Sequence, residues 1–331
     1  MTPVTLKHAS ISDGPLAAIA IGRNEGTRLI DCLDSLQGQV ARIIYVDSGS
    51  TDGSQEAAKA RGAEVIPLDM SQPFTAARAR NAGLDHLATT GTTPAFVQFL
   101  DGDCALQPDW IDTAKTFLDA HPNVAIVCGR RRERFPEASQ WNRLIDAEWD
   151  TPIGEAKYCG GDALMRFNVL RDIGGYNPDL IAGEEPEMCV RVRASGWHIW
   201  RLDAEMTLHD AALSKASQWW NRTKRAGYAY AEGAALHGAP PERHWVRERN
   251  RLALWGLFLP AATLVAFLVK PWLGLIFLLI WSAQIARLYL KNRDLPMALT
   301  LVLGKVAEGQ GALTYYWRRI RGSRKRLIEY K

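Results

Sequence analysis

The run Phe96-Val97-Gln98-Phe99-Leu100, followed directly by Asp101-Gly102-Asp103, decides the fold. A short apolar run rich in β-formers reads as a buried strand. Two carboxylates at its exposed end, one glycine apart, can grip a divalent cation together with substrate phosphates. Hard cations such as Mg²⁺ or Mn²⁺ take oxygen ligands and share them with phosphate. The glycine lets the backbone turn so that both carboxylates reach one ligand. Surface turns also generate Asp-x-Asp. The weight therefore rests on its place at the C-terminal end of a parallel strand, where open α/β sheets bind ligands.

Upstream of this junction, strand and helix patterns alternate. Leu16–Ile21, Arg42–Val46, Glu64–Pro67 and Pro94–Leu100 read as strands. Thr27–Leu36, Gln55–Arg61 and Phe74–His86 read as helices, the first with Leu29, Ile30, Leu33 and Leu36 at helical spacing. Such alternation predicts a parallel, doubly wound sheet. Its strand ends carry three polar loops, at 23–25, 47–54 and 101–103, which together suggest a nucleotide cleft on one sheet edge.

At 331 residues and 47% hydrophobic, the chain can bury a sizeable core in one large domain or two. A net charge of +4 is too small to argue for nucleic acid. Cys32, Cys104, Cys128, Cys159 and Cys189 show no metal-knuckle spacing, and an odd count reads as reduced thiols. The N-terminus has no basic-then-apolar signal segment.

The strings Ile44-Tyr45-Val46-Asp47-Ser48-Gly49-Ser50-Thr51-Asp52-Gly53-Ser54, Ala79-Arg80-Asn81-Ala82-Gly83 and Leu100-Asp101-Gly102-Asp103 resemble the family 2 glycosyltransferases. The resemblance continues through Gly160-Gly161-Asp162-Ala163-Leu164-Met165, Gly174-Gly175-Tyr176 and Gly183-Glu184-Glu185-Pro186-Glu187, and closes at Leu208-His209-Asp210. It spans roughly residues 16 to 212. It implies a GT-A fold, Rossmann-like with a mostly parallel sheet and flanking helices, and a nucleotide-diphosphate sugar as donor.

Carried over by position, the resemblance implies donor-binding roles for Arg23, Asp47, Arg80 and Asp101. Asp47 matches the acid that binds the nucleotide base, although the chain has Ser48 where the family often has a second Asp. Asp103 and His209 are the implied metal ligands, compatible with Mn²⁺ or Mg²⁺. Inverting transfer also needs a base for the acceptor hydroxyl. The family uses an acid, usually Asp, in a Glu-Asp pair. Glu185 holds that position here, and Glu184 remains the alternative. Adjacent helical residues point about 100° apart, so one of the two should face the acceptor.

Each feature has a plainer reading. The 47–54 loop could be an ordinary strand-to-helix turn capped by Ser50 or Asp52. Arg78 and Arg80 could form a solvated helix face. Glu184 and Glu185 suit the first turn of any helix. His209 alone would be structural, and Trp197 and Trp200 read as core. The ordered set favours the functional reading.

Toward the C-terminus, Leu252–Val269 and Pro271–Ala286 are uncharged and separated by Lys270. At ~1.5 Å per residue they reach about 27 and 24 Å, against a hydrocarbon core of ~30 Å. Snorkelling of Arg251, Lys270 and Arg287 would extend them. A membrane hairpin follows, with re-entrant insertion and a buried core hairpin as alternatives. Lys215–Leu236 and Leu295–Trp317 read as further helices, the latter with Leu299, Val302, Val306 and Leu313 near one face. Arg318, Arg319, Arg321, Arg324, Lys325 and Arg326 form a basic tail suited to anionic lipid.

The expected organisation is a GT-A catalytic domain over 1–240 and a membrane region over 241–331. The first comprises a nucleotide-binding half about 16–105, an acceptor half about 106–212 and a connecting interfacial helix about 215–236. The second comprises a hairpin about 252–290 and the basic tail. The expected activity is metal-dependent, inverting hexosyl or N-acetylhexosaminyl transfer from a UDP-sugar to a lipid-linked saccharide or polysaccharide acceptor. Its setting would be exopolysaccharide or lipopolysaccharide assembly at the cytoplasmic face of a bacterial inner membrane, with membrane lipid and no nucleic acid as partners. A processive polysaccharide synthase is the second enzyme reading, but Gln218-Trp219-Trp220-Asn221-Arg222 lacks the spacing of Gln-x-x-Arg-Trp. A non-catalytic sugar-nucleotide sensor or scaffold is the reading from another class.

Overall fold

The computed structural model describes residues 14–322. Arg324, Lys325 and Arg326 of the expected basic tail lie outside the described residues. The chain divides into two compact units, one made of residues 14–135, 145–180 and 184–211, the other of 136–144, 181–183 and 212–322.

The first unit opens with β1 (Leu16–Gly22), α1 (Thr27–Leu36), β2 (Arg42–Asp47), α2 (Ser54–Ala60), β3 (Glu64–Pro67), α3 (Ala76–Thr89) and β4 (Phe96–Asp101). These follow the predicted alternation closely. Helix α1 buries Leu29, Cys32, Leu33 and Leu36, the stripe expected of a helix lying on a sheet. Thr75 caps α3, its hydroxyl accepting the Arg78 amide at 3.1 Å. Ile19, Ile44 and Phe99 are fully buried on β1, β2 and β4, each contributing about 1.5–3 kcal/mol through burial.

Beyond β4 follow β5 (Cys104–Leu106), α4 (Trp110–Ala120), β6 (Val124–Glu133), α5 (Gln140–Trp149), β7 (Gly154–Glu155), β8 (Ala163–Arg166), α6 (Phe167–Asp172), α7 (Glu184–Ala194) and β9 (His198–His209). The sheet order is β3-β2-β1-β4-β8-β6-β9-β5, with β7 paired to β9. β1, β2, β3 and β4 are joined in parallel. From β8 onward the sheet is mixed: β8 runs antiparallel to β4 and β6, β5 antiparallel to β9, and β6 parallel to β9.

Register fixes where the polar loops begin. Gly22 pairs with Asp47, and Ile21 with Asp101, so β1, β2 and β4 end on one sheet edge. At the other join, Cys104 of β5 lies opposite His209 of β9.

The second unit is helical: α8 (Ala216–His237), α9 (Val246–Leu252), a π-helical turn Ala253–Phe258, α10 (Leu259–Val269), α11 (Pro271–Asn292) and α12 (Leu295–Arg321). Helix α8 groups with these C-terminal helices. It lies against α12, where a Cβ on Gly311 would run into the Lys224 carbonyl oxygen. Small residues that admit such close backbone approach are the usual means by which helices pack in lipid. α12 buries Ala298, Val302, Ala307, Gly311, Ala312 and Tyr315 and exposes Leu299, Leu303, Leu313, Trp317 and Ile320. Val302 is therefore parted from Leu299 and Leu313, because the small-residue packing on α12 turns it inward.

Among the described residues, two helices are long and apolar enough to cross a membrane: Val246–Val269, 24 residues, and Pro271–Asn292, 22 residues, whose most apolar 18-residue windows have mean hydropathies of 2.2 and 1.7. Their most apolar windows are only 22% and 6% buried. At ~1.5 Å per residue they run about 36 and 33 Å, longer than the sequence pattern indicated. Lys270 adopts an extended conformation between them, and Pro271 starts α11 at the position where a missing amide costs nothing.

Candidate active site

The site is built at the end of β4. Arg80, buried on α3, donates from Nη2 to Asp101 Oδ1 at 2.8 Å and from Nη1 to Glu184 Oε1 at 2.9 Å. A second guanidinium, Arg131 on β6, reaches Asp101 Oδ2 at 3.2 Å and Asp162 Oδ2 at 3.4 Å. Its guanidinium carbon stands 4.7 Å above the Trp149 ring. The wholly buried Asp162 also accepts the Asp101 amide at 3.2 Å and the Thr207 hydroxyl at 2.8 Å. Two cations and three carboxylates thus compensate one another, which buried charges require.

Beside this group, Asp103 Oδ1 lies 3.3 Å from His209 Nε2. Both residues are buried. His209 Nδ1 stands 3.6 Å from Glu133 Oε2, beyond hydrogen-bond length but near enough to orient the ring. Trp149 packs edge-on to His209 with ring centroids 4.7 Å apart. Burial, with Arg131 next, pushes the His209 imidazole below its ordinary 6.5, so it is neutral near pH 7 and can ligate a metal.

Ligand atoms of Asp103, Cys104 and His209 lie within 4.8 Å of one another. The Asp103 carboxylate and the His209 imidazole fit Mn²⁺ or Mg²⁺, whereas the Cys104 thiol does not suit these hard ions. Adjacent ligands at ~2.1 Å from an octahedral ion stand about 3.0 Å apart, close to the 3.3 Å between Asp103 and His209. The buried His209 Nδ1 makes no hydrogen bond. Burial holds the Cys104 thiol well above its ordinary range, leaving it protonated.

Asp101 and Asp103 belong to neighbouring groups that share Cys104. Asp101 is engaged by the two arginines, and Asp103 faces His209. Gly102 lies in the turn between β4 and β5, without a positive φ. It is small because its amide bonds Ile21 O at 2.8 Å, where a Cβ would come within 3.2 Å of the same oxygen.

The remaining predicted residues fall on the same edge with different surroundings. Asp47 is fully buried. It accepts from Tyr45 Oη at 3.0 Å, the Gly49 and Ser50 amides at 3.0 Å each, and Gln55 Nε2 at 2.8 Å. Its carboxylate shapes the β2–α2 loop. Arg23 is exposed in the β1–α1 loop. That loop is tied to the next, Asn24 Oδ1 accepting the Thr51 amide at 2.8 Å and Asp52 accepting the Gly26 amide at 3.0 Å.

Glu184 and Glu185 open α7 and diverge as helical geometry requires. Glu184 faces Arg80. Glu185 Oε1 accepts the Cys159 amide at 2.7 Å, Cys159 Sγ at 3.1 Å and Cys189 Sγ at 2.9 Å.

Arg131, Asp162, Glu133 and Trp149 had no role in the sequence reading. Asp162 was signalled by Gly160-Gly161-Asp162. Arg131 carried no signal of its own in the sequence.

Residues 19–174 match the family model described as Glycosyl transferase family 2. The match ends before α7 and β9, so Glu184, Glu185 and His209 lie beyond it. The chain is similar to the succinoglycan biosynthesis protein ExoA of Rhizobium meliloti (strain 1021), at 22% identity over 282 residues, covering 78% of this chain and 80% of that protein. It is 25% identical over 251 residues to a pre-mycofactocin glycosyltransferase of Mycobacterium tuberculosis, covering 70% of this chain and 51% of that protein, so it spans about half the relative's length. Among solved structures, the mannosyltransferase PcManGT from Pyrobaculum calidifontis, in complex with GDP-Man and Mn²⁺, superposes with a TM-score of 0.63 at 18% identity, covering 93% of this chain and 89% of that one. That likeness carries the fold. Residues 19–174 are thus a family 2 glycosyltransferase domain, set in a chain of GT-A fold.

Proposed function

We propose that the enzyme is a membrane-associated, metal-dependent, inverting transferase that moves one sugar from a nucleoside-diphosphate sugar to a lipid-linked saccharide or a growing surface polysaccharide. The observation that carries this reading is the junction of two groups at the end of β4: the Arg80–Asp101–Arg131 charge group and the Asp103–His209 pair.

In this reading Arg23, Asp47 and the paired loops at 23–26 and 47–54 form the nucleoside side of the cleft. Asp101 and Arg80 hold the donor. Asp103 and His209 would hold Mn²⁺ or Mg²⁺, which when bound supplies a Lewis acid for the departing diphosphate. Glu185 takes the acceptor proton as the acceptor oxygen attacks the anomeric carbon. Glu184 is less suited to that step, because a proton on it would weaken its pair with the buried Arg80 guanidinium.

The acceptor class rests on the helical unit. Two exposed apolar helices and the bare stripe on α12 suit lipid, and Leu268 is 78% exposed. Arg318, Arg319 and Arg321 favour the cytoplasmic side of a bacterial inner membrane. The likeness to a succinoglycan biosynthesis protein favours exopolysaccharide over lipopolysaccharide.

A donor screen with the detergent-purified full chain tests the reading. Release of nucleoside diphosphate, largest with a UDP-sugar and dependent on an added lipid-linked saccharide, is expected. GDP-mannose is the comparison arm. No release from any sugar nucleotide with Mn²⁺ present would refute transfer.

A further inference from the structure

We infer that Cys159 and Cys189 are positioning residues for the acceptor base, pinning one oxygen of Glu185 so that the other meets the acceptor hydroxyl. This rests on the reading of Glu185 as that base.

The three residues come from two elements. Glu185 and Cys189 sit one turn apart on α7, on the same helix face. Cys159 comes from the segment before β8. All three are buried, and Glu185 retains 7% exposure. Oε1 takes every donor: the Cys159 amide, the Cys159 thiol and the Cys189 thiol. Oε2 makes no hydrogen bond among the described residues. Burial raises the Cys189 thiol to about 11 and the Cys159 thiol well above its ordinary range. Both are therefore S–H donors near neutral pH.

The chemistry explains why thiols suit this place. A base must be fixed in orientation yet remain able to accept a proton. A cation against Glu185, such as the one Arg80 sets against Glu184, would put a positive charge beside the incoming proton. Neutral S–H and N–H donors fix the carboxylate without adding a charge. Three donors on one oxygen also remove the carboxylate's rotation, so the same atom is presented at each turnover.

The test compares alanine and serine at both cysteines in the full chain. Cys189→Ala should lower kcat about 10- to 100-fold, as expected for a misplaced catalytic group, with donor KM unchanged. Cys189→Ser keeps a donor and should recover most of the rate. Placed on Glu185→Gln, Cys189→Ala should cause no further loss, because a positioning residue acts only through what it positions. Cys159→Ala should show the same pattern with a smaller loss, since its amide remains, and it stands in if Cys189→Ala does not fold. Full kcat in both alanine variants, a serine as impaired as its alanine, or additive losses on Glu185→Gln would overturn the inference.

One further result would overturn it. The two sulfurs lie 3.6 Å apart, near the ~3.8 Å edge of a tetrahedral zinc site. One equivalent of zinc retained by the purified chain and lost in Cys159→Ser/Cys189→Ser would make the thiols ligands rather than donors. Full turnover by Glu185→Gln would instead remove the base itself, a failure distinct from loss of positioning.

Discussion

Arg80 and Glu184, 104 positions apart in the chain, meet at 2.9 Å. The other nitrogen of the same guanidinium holds Asp101 at 2.8 Å. One side chain thereby couples helix α3, the end of strand β4 and the start of helix α7.

Replacing Arg80 with Met should leave two carboxylates facing each other without their shared cation. Breaking a buried pair from one side costs about 3 kcal/mol, so denaturant unfolding should show a loss of that size together with weakened donor binding. Arg80→Lys should fare little better, since an ammonium cannot bridge two carboxylates in the planar, forked manner of a guanidinium. An unchanged unfolding midpoint for Arg80→Met would show that the coupling has no energetic weight.

The Asp103–His209 pair should make turnover dependent on a divalent cation. EDTA should abolish activity, and Mn²⁺ or Mg²⁺ should restore it. Asp103→Ala should be nearly inactive and His209→Ala reduced in Mn²⁺ affinity by calorimetry, because the diphosphate's developing charge loses its partner. Undiminished activity in chelator would exclude the metal role.

Glu185→Gln keeps the acceptors for the Cys159 and Cys189 donors but loses proton-accepting capacity. It should lower kcat by about 10²–10⁴ with donor binding nearly intact. Glu184→Gln should act mainly on donor binding, through Arg80. The reverse pattern would assign the base to Glu184.

Away from the site, Glu64 accepts two hydrogen bonds from Arg42 at 2.8 Å each and faces His86 Nε2 at 2.6 Å. The Arg42 hydrogen bonds, opposed by burial and assisted by His86, draw the Glu64 carboxyl from 4.5 down to about 2. A depressed carboxyl contributes stability that is fully present above pH 4.5 and is lost as pH falls through about 2. Glu64→Gln should therefore melt below the wild type at neutral pH, with the gap closing between pH 4.5 and 2. A constant gap across that window would contradict the linkage.

The helical unit should hold the chain in the membrane fraction through high salt and carbonate, since salt screens surface charge but not apolar burial. Truncation after Glu248 would remove α12 and uncover the α8 face around Tyr228, whose ring lies 5.4 Å from Tyr315. A fragment cut there should aggregate more than one ending near Ala211. Release of the full chain by salt alone would leave the lipid acceptor without support.

The parallel half was legible because each of its strands is a local pattern. Leu16–Gly22 and Phe96–Asp101 are buried on both faces and read as largely apolar runs, the second broken only by Gln98 before its terminal aspartate. Thr27–Leu36 matched to the residue because its stripe is regular. Asp101 and Asp103 stood out by ending a buried strand, whereas Arg80 and His209 stood out only through their order along the chain. Arg131 was hidden because charge in a strand looks alike whether it faces water or a buried carboxylate. The inward turn of Val302 was hidden because hydrophobicity alone does not distinguish a lipid-facing residue from one packed on glycine and alanine.

Strand β5 is three residues long and, among the described residues, pairs with β9, which ends at His209. The strands of the parallel half and Asp103 are all in place within the first 103 residues. The partner strand that sets Asp103 beside its histidine arrives only after another hundred or so have been added. A nascent chain would therefore close its parallel sheet early, before Asp103 has met His209, the partner proposed to share its cation. Catalytic competence would be deferred until β9 docks, just before the apolar helices emerge.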